Sequence, residues 1–334
     1  MVADRSPSSL KSHDIILRPT GQLRDLLPRL PTIITAAGEH ATRKFLEFFT
    51  ANIRNRNTRA AYARAALRFC DWCDHHKVSL QAIEPMLLAM YIEELGTSRA
   101  KPTVKQNLAA IRMLFDYLVV GQVLPMNPAS AVRGPKHVVK KGSTPVLSGE
   151  EAHELFDSID VTTIAGLRDR ALIGVMVYSF ARVGAVVGMD VDDYFQQGKR
   201  FWFRFHEKGG KLHDVPAHHK AEEYLDAYIA TAGIGAQKGT PLFRSLSRTR
   251  NLTDRRMHRT EVLAMIKRRA RHAGLSSAVC CHSFRATGIT AYLLNGGTLE
   301  HAQRIACHES PRTTKLYDRT SDDISLDEIE RIVI

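Results

Sequence analysis

Nowhere in the 334 residues is there a run of about 18 apolar side chains, the length that crosses a bilayer. Residues 1–30 carry Pro7, Pro19, Pro28 and several charges where a secretory signal would place an apolar stretch. Five cysteines, an odd number, make no disulfide framework in a chain of this length. Internal repeats and low-complexity segments are missing as well. What remains is a globular protein with no membrane partner, expected in the cytoplasm.

The composition, 44% apolar and 25% charged, is that of an ordinary globular chain with material for a core. Its length exceeds what one core usually organises, so two domains are expected. Lysine and arginine outnumber aspartate and glutamate 47 to 35, a formal charge of +12 that favours a polyanionic partner. The cations are unevenly spread. From Pro241 to Gly274 run Arg244, Arg248, Arg250, Arg255, Arg256, Arg259, Lys267, Arg268, Arg269 and Arg271, against Asp254 and Glu261 alone. Beside a phosphate-handling site such a run is expected to touch a nucleic-acid backbone rather than only water. After Tyr317 the sign reverses, with Asp318, Asp322, Asp323, Asp327, Glu328 and Glu330.

Residues 1–35 show no sustained period and read as an extension. Phe45, Phe48 and Phe49 set one apolar helical face. Tyr62, Ala65, Ala66, Phe69 and Trp72 set a second, and Val104, Leu108, Ile111, Leu114, Phe115 and Leu118 a third. Met86 to Leu95 adds a shorter helix, and Pro102 opens the third long one, where its missing N–H is harmless. Residues 36–128 are therefore expected to form a helical bundle. Residues 129–145, with Gly134, Pro135, Gly142 and Pro145 among lysines and arginine, read as an exposed basic linker. Ser148 and Glu151 then make a capping box that opens a second domain, 146–320. Within it Arg168 to Val187 reads as one buried helix. Phe201, Phe203 and Phe205 alternate with Trp202, Arg204 and His206, which places a hairpin at 200–216 around Gly209-Gly210. The rest of that domain is expected to be mostly helical. The fold class is thus mainly α with a small β-hairpin or sheet.

The tail, 321–334, carries an apolar stripe of Ile324, Leu326, Ile329, Ile332 and Val333. It fits either folding back on its own domain or docking on a neighbouring protomer.

Chemistry concentrates near the C-terminal end. His282 and Arg285, three apart in His282-Ser283-Phe284-Arg285, share one helix face. Cys307-His308 and then Tyr317 follow. A guanidinium binds two phosphate oxygens at once and keeps its proton. Histidine moves protons near neutrality, and a tyrosine hydroxyl can attack a phosphodiester. A tyrosine attacking DNA needs an outlet for its proton, and the departing 5′-oxygen needs a proton delivered.

These stretches, with Ala181-Arg182-Val183-Gly184, Glu207-Lys208-Gly209-Gly210-Lys211 and Thr313-Thr314-Lys315-Leu316-Tyr317, resemble the tyrosine recombinases, the family of phage integrases and chromosome-dimer resolvases. The resemblance covers the second domain, and the 36–128 bundle suits the family's core-binding, SAM-like DNA-binding domain. It implies that Arg182 and Arg285 hold the scissile phosphate and that Tyr317 is the nucleophile. It further implies that Lys208 protonates the leaving 5′-oxygen, His282 acts as general acid or base, and His308 supports the phosphate. No cofactor and no metal is implied. The implied partner is double-stranded DNA with inverted-repeat arms, bound by a dimer, two of which form a synaptic tetramer, with an accessory directionality factor in some members. One position departs from the pattern: Ala185 stands where the family often has an acidic residue three after the first arginine. The carboxylate's orienting task then falls elsewhere, or the rate is lower.

Cys70 and Cys73, with His75 and His76 after them, have the spacing of half a zinc site. No second ligand pair accompanies them, and the cysteines continue the Tyr62–Trp72 helix, so core packing is the expectation. Two other functions fit the residues. A type IB topoisomerase would share the chemistry and relax supercoils as a monomer. A non-catalytic DNA-binding regulator on the same fold is suggested by Ala185, and would be indifferent to loss of the Tyr317 hydroxyl.

Overall fold

Apolar side chains at three-to-four spacing become the inner faces of a small bundle in the first half of the chain. A computed structural model describes residues 30–138, 142–207 and 210–318. The chain divides into two units, Met1–Val138 and Val139–Ile334. Most of the N-terminal extension, Lys208 and the tail after Asp318 lie outside the described residues.

The first unit contains α1 (Thr32–Ala36), α2 (Glu39–Glu47) with a π-helical turn at Phe48–Asn52, α3 (Arg56–His75), α4 (Pro85–Ser98) and α5 (Lys101–Val120). The Asn55 side chain starts α3 by accepting from the Asn57 and Thr58 N–H groups at 3.0 and 3.1 Å. Pro102 sits in the first turn of α5. Phe45, Phe48, Phe49, Phe69 and Phe115 fill the core, with edge-to-face pairs at ring separations of 4.9–5.9 Å. Cys70 and Cys73 are buried in the same core. Burial pushes the Cys73 thiol up to about 12 and raises Cys70 as well, so both stay protonated thiols that pack as small apolar groups. The segment expected as an exposed linker begins as part of this core. Ala129 and Val132 are buried, and the Arg112 guanidinium donates to both carbonyls.

In the second unit the Ser148–Glu151 capping box is present. The Ser148 hydroxyl accepts from the Glu151 N–H at 3.1 Å, and the Glu151 carboxylate from the Ser148 N–H at 2.8 Å. It opens α6 (Gly149–Asp157). The helix expected over Arg168 to Val187 is two helices, α7 (Ile164–Tyr178) and α8 (Val183–Gly188). Between them Phe180 takes a left-handed φ of 55°. The Ser179 hydroxyl donates back to the Val175 carbonyl and accepts from the Ala181 N–H, offering the backbone an alternative to the next turn. Both sides of the break are buried, so hydrophobic periodicity runs through it without a signal.

Next comes an antiparallel sheet β1-β2-β3, of β1 (Tyr194–Gln197), β2 (Arg200–His206) and β3 (Leu212–Pro216). The expected hairpin is β2–β3, in register Phe203↔Val215 and Phe205↔His213. Phe203 and Phe205 point into the core, as their alternation requires. After α9 (His219–Ala232) a second hairpin, β4 (Arg244–Leu246) and β5 (Leu252–Arg256), lies where helix was expected. The remaining helices are α10 (Arg259–His272), α11 (Cys281–Leu294), α12 (Leu299–Ile305) and α13 (Pro311–Lys315).

Buried α7 is the axis of this unit, with α9 and α11 against it. Gly288 allows the closest approach, because a Cβ there would collide with the Val177 carbonyl and the Phe180 ring. Buried Asp169 on α7 accepts from Arg168 at 2.7 Å and from Arg269 on α10 at 2.8 Å, which locks α10 to the axis.

Candidate active site

Arg182 is the N-cap of α8, so the break after α7 sets its position. Its side chain remains 41% exposed and forms an ion pair with Glu207, at the end of β2, at 2.9 Å. Arg285 on α11 is 1% exposed. Its Nη1 donates to the Phe180 carbonyl, in the α7–α8 break, and its Nη2 to the Ala306 carbonyl after α12. The two arginines are therefore fixed by opposite sides of the same break. Burial, with Arg182 nearby, lowers Arg285 to about 10, while Tyr317 and Glu207 act in the other direction. At neutral pH the group is still a cation.

His282 lies in the first turn of α11, one turn before Arg285. Ser283 between them starts the helix, its hydroxyl accepting the Cys280 N–H at 3.1 Å. His282 keeps an exposed edge. Partial desolvation and then Arg285 and Arg182 lower its pKa, so it is a neutral base at pH 7.

His308 is placed by the end of α12. The His308 N–H donates to the Gln303 carbonyl at 3.1 Å and the Cys307 N–H to the Arg304 carbonyl at 3.0 Å, a Schellman ending. Cys307 occupies the left-handed position that such an ending requires, at φ 48°, where glycine is usual. The chain so turned buries His308, whose Nδ1 lies 2.9 Å from the Thr314 hydroxyl. Burial, then Arg285, Arg182 and His282, press its pKa down to about 3. If the Thr314 hydroxyl donates, Nε2 bears the proton and is a donor for an anionic oxygen.

Tyr317 follows α13. Its carbonyl accepts the Thr290 hydroxyl of α11 at 2.9 Å, and its ring lies parallel to the His308 ring with centroids 5.9 Å apart. Phe180, Ile289 and Ala306 form the cluster it packs against. Before α6, the Gly142 N–H also holds the neighbouring Leu316 carbonyl, at 2.9 Å. The hydroxyl-bearing ring is thus held by backbone on both sides.

Five of the six residues singled out in the sequence, Arg182, His282, Arg285, His308 and Tyr317, come together at this place. Lys208 lies outside the described residues. Beside them a cleft of about 650 Å3 opens, with Arg182, Glu207, Lys211, His213, His308 and Thr313 on its walls. One buried guanidinium and one half-exposed guanidinium, two neutral histidines and a tyrosine can bind a phosphodiester, neutralise charge on its non-bridging oxygens and move a proton. Glu207, Thr314 and the carbonyls of Phe180 and Ala306 were not assigned roles from sequence. Glu207 stood in a recognised stretch, but nothing local marks it as a partner of Arg182.

The basic run at 241–274 divides. Buried Arg244 pairs with Asp254 at 3.1 Å, Arg255 with Glu261 at 2.9 Å, Arg256 with Asp190, and Arg269 with Asp169. These hold the β4–β5 hairpin and α10 in place. Arg248, Arg250, Arg268 and Arg271 are exposed.

Comparison with known proteins places both units in one family. Residues 145–323 match the model of the phage integrase family, and residues 43–121 that of the phage integrase N-terminal SAM-like domain. Tyrosine recombinase XerC of Myxococcus xanthus is 28% identical over 250 residues, which cover 73% of this chain and 80% of the relative. Tyrosine recombinase XerD of Mycobacterium leprae (strain TN) is 28% identical over 215 residues, covering 63% and 67%. Among solved structures, the XerH site-specific recombinase bound to difH substrate in a pre-cleavage complex superposes with a TM-score of 0.65 at 16% identity. It covers 90% of this chain and 95% of that one. A lambda integrase tetramer bound to a Holliday junction gives 0.64 at 16% identity, covering 86% and 79%. No described helix is long and apolar enough to cross a membrane.

Proposed function

This chain belongs to the phage integrase family, and from that premise we propose that Tyr317 cuts and rejoins duplex DNA inside the cluster of Arg182, Arg285, His282 and His308. It is a site-specific tyrosine recombinase that binds DNA. The observation that carries the site assignment is the parallel placement of Tyr317 on His308, with Tyr317 beside Arg285 and His308 within electrostatic reach of both arginines.

Arg182 and Arg285 take the non-bridging oxygens of the scissile phosphate. Of its five N–H donors Arg285 spends one on Phe180 and one on Ala306, and the rest face Tyr317 and the phosphate it would attack. The Tyr317 oxygen attacks phosphorus and its proton passes to neutral His282. The bond to the 5′-oxygen breaks, and that oxygen takes a proton from Lys208. His308 donates to a phosphate oxygen. The products are a 3′-phosphotyrosine and a free 5′-hydroxyl. A 5′-hydroxyl from the partner duplex then attacks the phosphotyrosine and releases Tyr317. The covalent link retains the energy of the broken bond, so rejoining draws on no nucleotide.

The helical unit and the catalytic unit would grip a duplex carrying inverted arms. A dimer would occupy one site, and two dimers would exchange strands through a Holliday junction, with the 321–334 tail available for docking between protomers. The exposed Arg248, Arg250, Arg268 and Arg271 suit contacts to backbone phosphates, so affinity should fall steeply with salt. The reaction would take place in the cytoplasm, with an accessory factor setting direction where direction is needed.

The test is a denaturing pull-down from host genomic DNA, sequencing what stays attached to wild type and to Tyr317→Phe. Adducts at one paired-arm sequence, absent from the variant, are expected. Scattered tyrosine-dependent adducts would favour a topoisomerase. Duplex binding with no adduct from either protein would favour a regulator.

A further inference from the structure

Arg182 sits on a six-residue helix whose own surface gives its side chain nothing to hold. Its backbone is anchored, since its carbonyl accepts from Ala185 and Val186 at 2.9 and 3.1 Å. The guanidinium is not, being 41% exposed on a long flexible stem. One turn further along α8, where a side chain could reach back to it, stands Ala185, buried and without a polar atom. Among the described residues the Arg182 side chain makes one hydrogen bond, to Glu207, 25 residues away on the β-sheet.

Glu207 is built to provide it. Its side chain is only 7% exposed. Its backbone closes the turn between β2 and β3, with its N–H on the Lys211 carbonyl at 2.8 Å and its carbonyl accepting from Gly210 at 3.2 Å. Gly210 takes a left-handed φ of 79° that permits this closure. A carboxylate on the wall of a cleft meant for phosphate repels the ligand, so binding alone gives no reason for one here. Its effect on the two arginines is favourable. They stand close enough for Arg182 to disfavour the charged form of Arg285, and Glu207 opposes that repulsion.

We infer that Glu207 is a positioning residue, acting from the β2–β3 turn to aim the Arg182 guanidinium at the scissile phosphate, a task the α8 surface leaves undone at Ala185. The inference rests on the recombinase reading and goes beyond it. Glu207 does not touch the reacting atoms; it acts through Arg182. Removing its charge should therefore slow strand cleavage without weakening attachment to DNA, because one fewer negative charge in the cleft favours the phosphate backbone.

The experiment uses the full chain on a duplex isolated by the pull-down above. It compares wild type, Glu207→Gln and Glu207→Asp for single-turnover adduct formation, duplex affinity and melting temperature. The expected result is a loss of tenfold or more in cleavage rate for Glu207→Gln, with affinity equal or tighter and melting unchanged. Glu207→Asp, which keeps the carboxylate, should recover a large part of the rate. Cleavage by Glu207→Gln at the wild-type rate would overturn the inference. So would a slow rate that tracks weakened DNA binding or a lowered melting temperature, or equal slowing by Asp and Gln. A wild type that binds duplex and forms no adduct would instead sink the recombinase reading, and this inference with it.

Discussion

Replacing Arg285 by lysine keeps a positive charge and removes a planar fork, and the surroundings of Arg285 set what that should cost. The side chain is 1% exposed, and its two terminal nitrogens donate to the carbonyls of Phe180 and Ala306. A lysine ammonium on a single stem can approach one of these carbonyls. The other is left buried without a donor, which costs about 1–3 kcal/mol. For a unit of this size that corresponds to a melting temperature lower by about 2–12 °C. The proposed two-pronged grip on phosphate goes as well. One lost charge-assisted hydrogen bond is worth about 1.5–3 kcal/mol, or roughly 10- to 160-fold in cleavage rate. Both effects are measurable, by thermal unfolding without DNA and by single-turnover adduct formation with it. A variant that melts with wild type would refute the structural half of this reasoning. Cleavage within about threefold of wild type would refute the catalytic half.

Three other perturbations separate the scaffold from the chemistry. Asp169→Asn leaves Arg168 and Arg269 without their shared counter-charge, and should destabilise the catalytic unit by about 3–5 kcal/mol in urea unfolding. Its adduct formation should stay near wild type under conditions where it remains folded. Thr314→Val removes the hydroxyl partner of His308 at a fully buried position, with an expected loss of about 1 kcal/mol and slower cleavage. Thr314→Ser should keep both stability and rate. The depressed pKa of His308 sets a direction for pH dependence. Unfolded, the residue takes up its proton near 6.5, and folded only near 3. Between those values the unfolded chain holds more protons, so this contribution to stability is complete above about 6.5 and is lost as pH falls towards 3. His308→Asn should flatten the acid side of a plot of unfolding free energy against pH, and parallel curves for the two proteins would contradict the assignment.

The long helices, the Ser148–Glu151 cap and the 200–216 hairpin were legible because each is written in a local pattern. Phe201, Phe203 and Phe205 alternate, and the apolar residues of α3 and α5 recur at helical spacing. The break between α7 and α8 was not legible, because buried residues flank it on both sides and the Ser179 signal is weak. The β4–β5 hairpin was hidden in a stretch of arginines, two of which find their partners, Asp190 and Asp169, far back in the chain. Charge density in a sequence cannot distinguish a guanidinium spent on a neighbour from one facing solvent. The residues that gather at the candidate site, Lys208 apart, could be named because their types and order are restrictive. What holds them could not. The carbonyls of Phe180 and Ala306 are backbone groups with no side-chain signature. The left-handed Cys307 occupies a place where the sequence code reads glycine, and Glu207 meets Arg182 only because the sheet and α8 pack together.

The most direct test of the central claim is to trap wild-type protein on a nicked duplex bearing its own site, digest the adduct and identify the modified peptide by mass spectrometry. The expected result is a nucleotide joined through its 3′-phosphate to Tyr317, in the peptide Leu316-Tyr317-Asp318-Arg319, with a free 5′-hydroxyl on the released strand. A 5′-phosphate linkage, or an adduct on any other residue, would contradict the account.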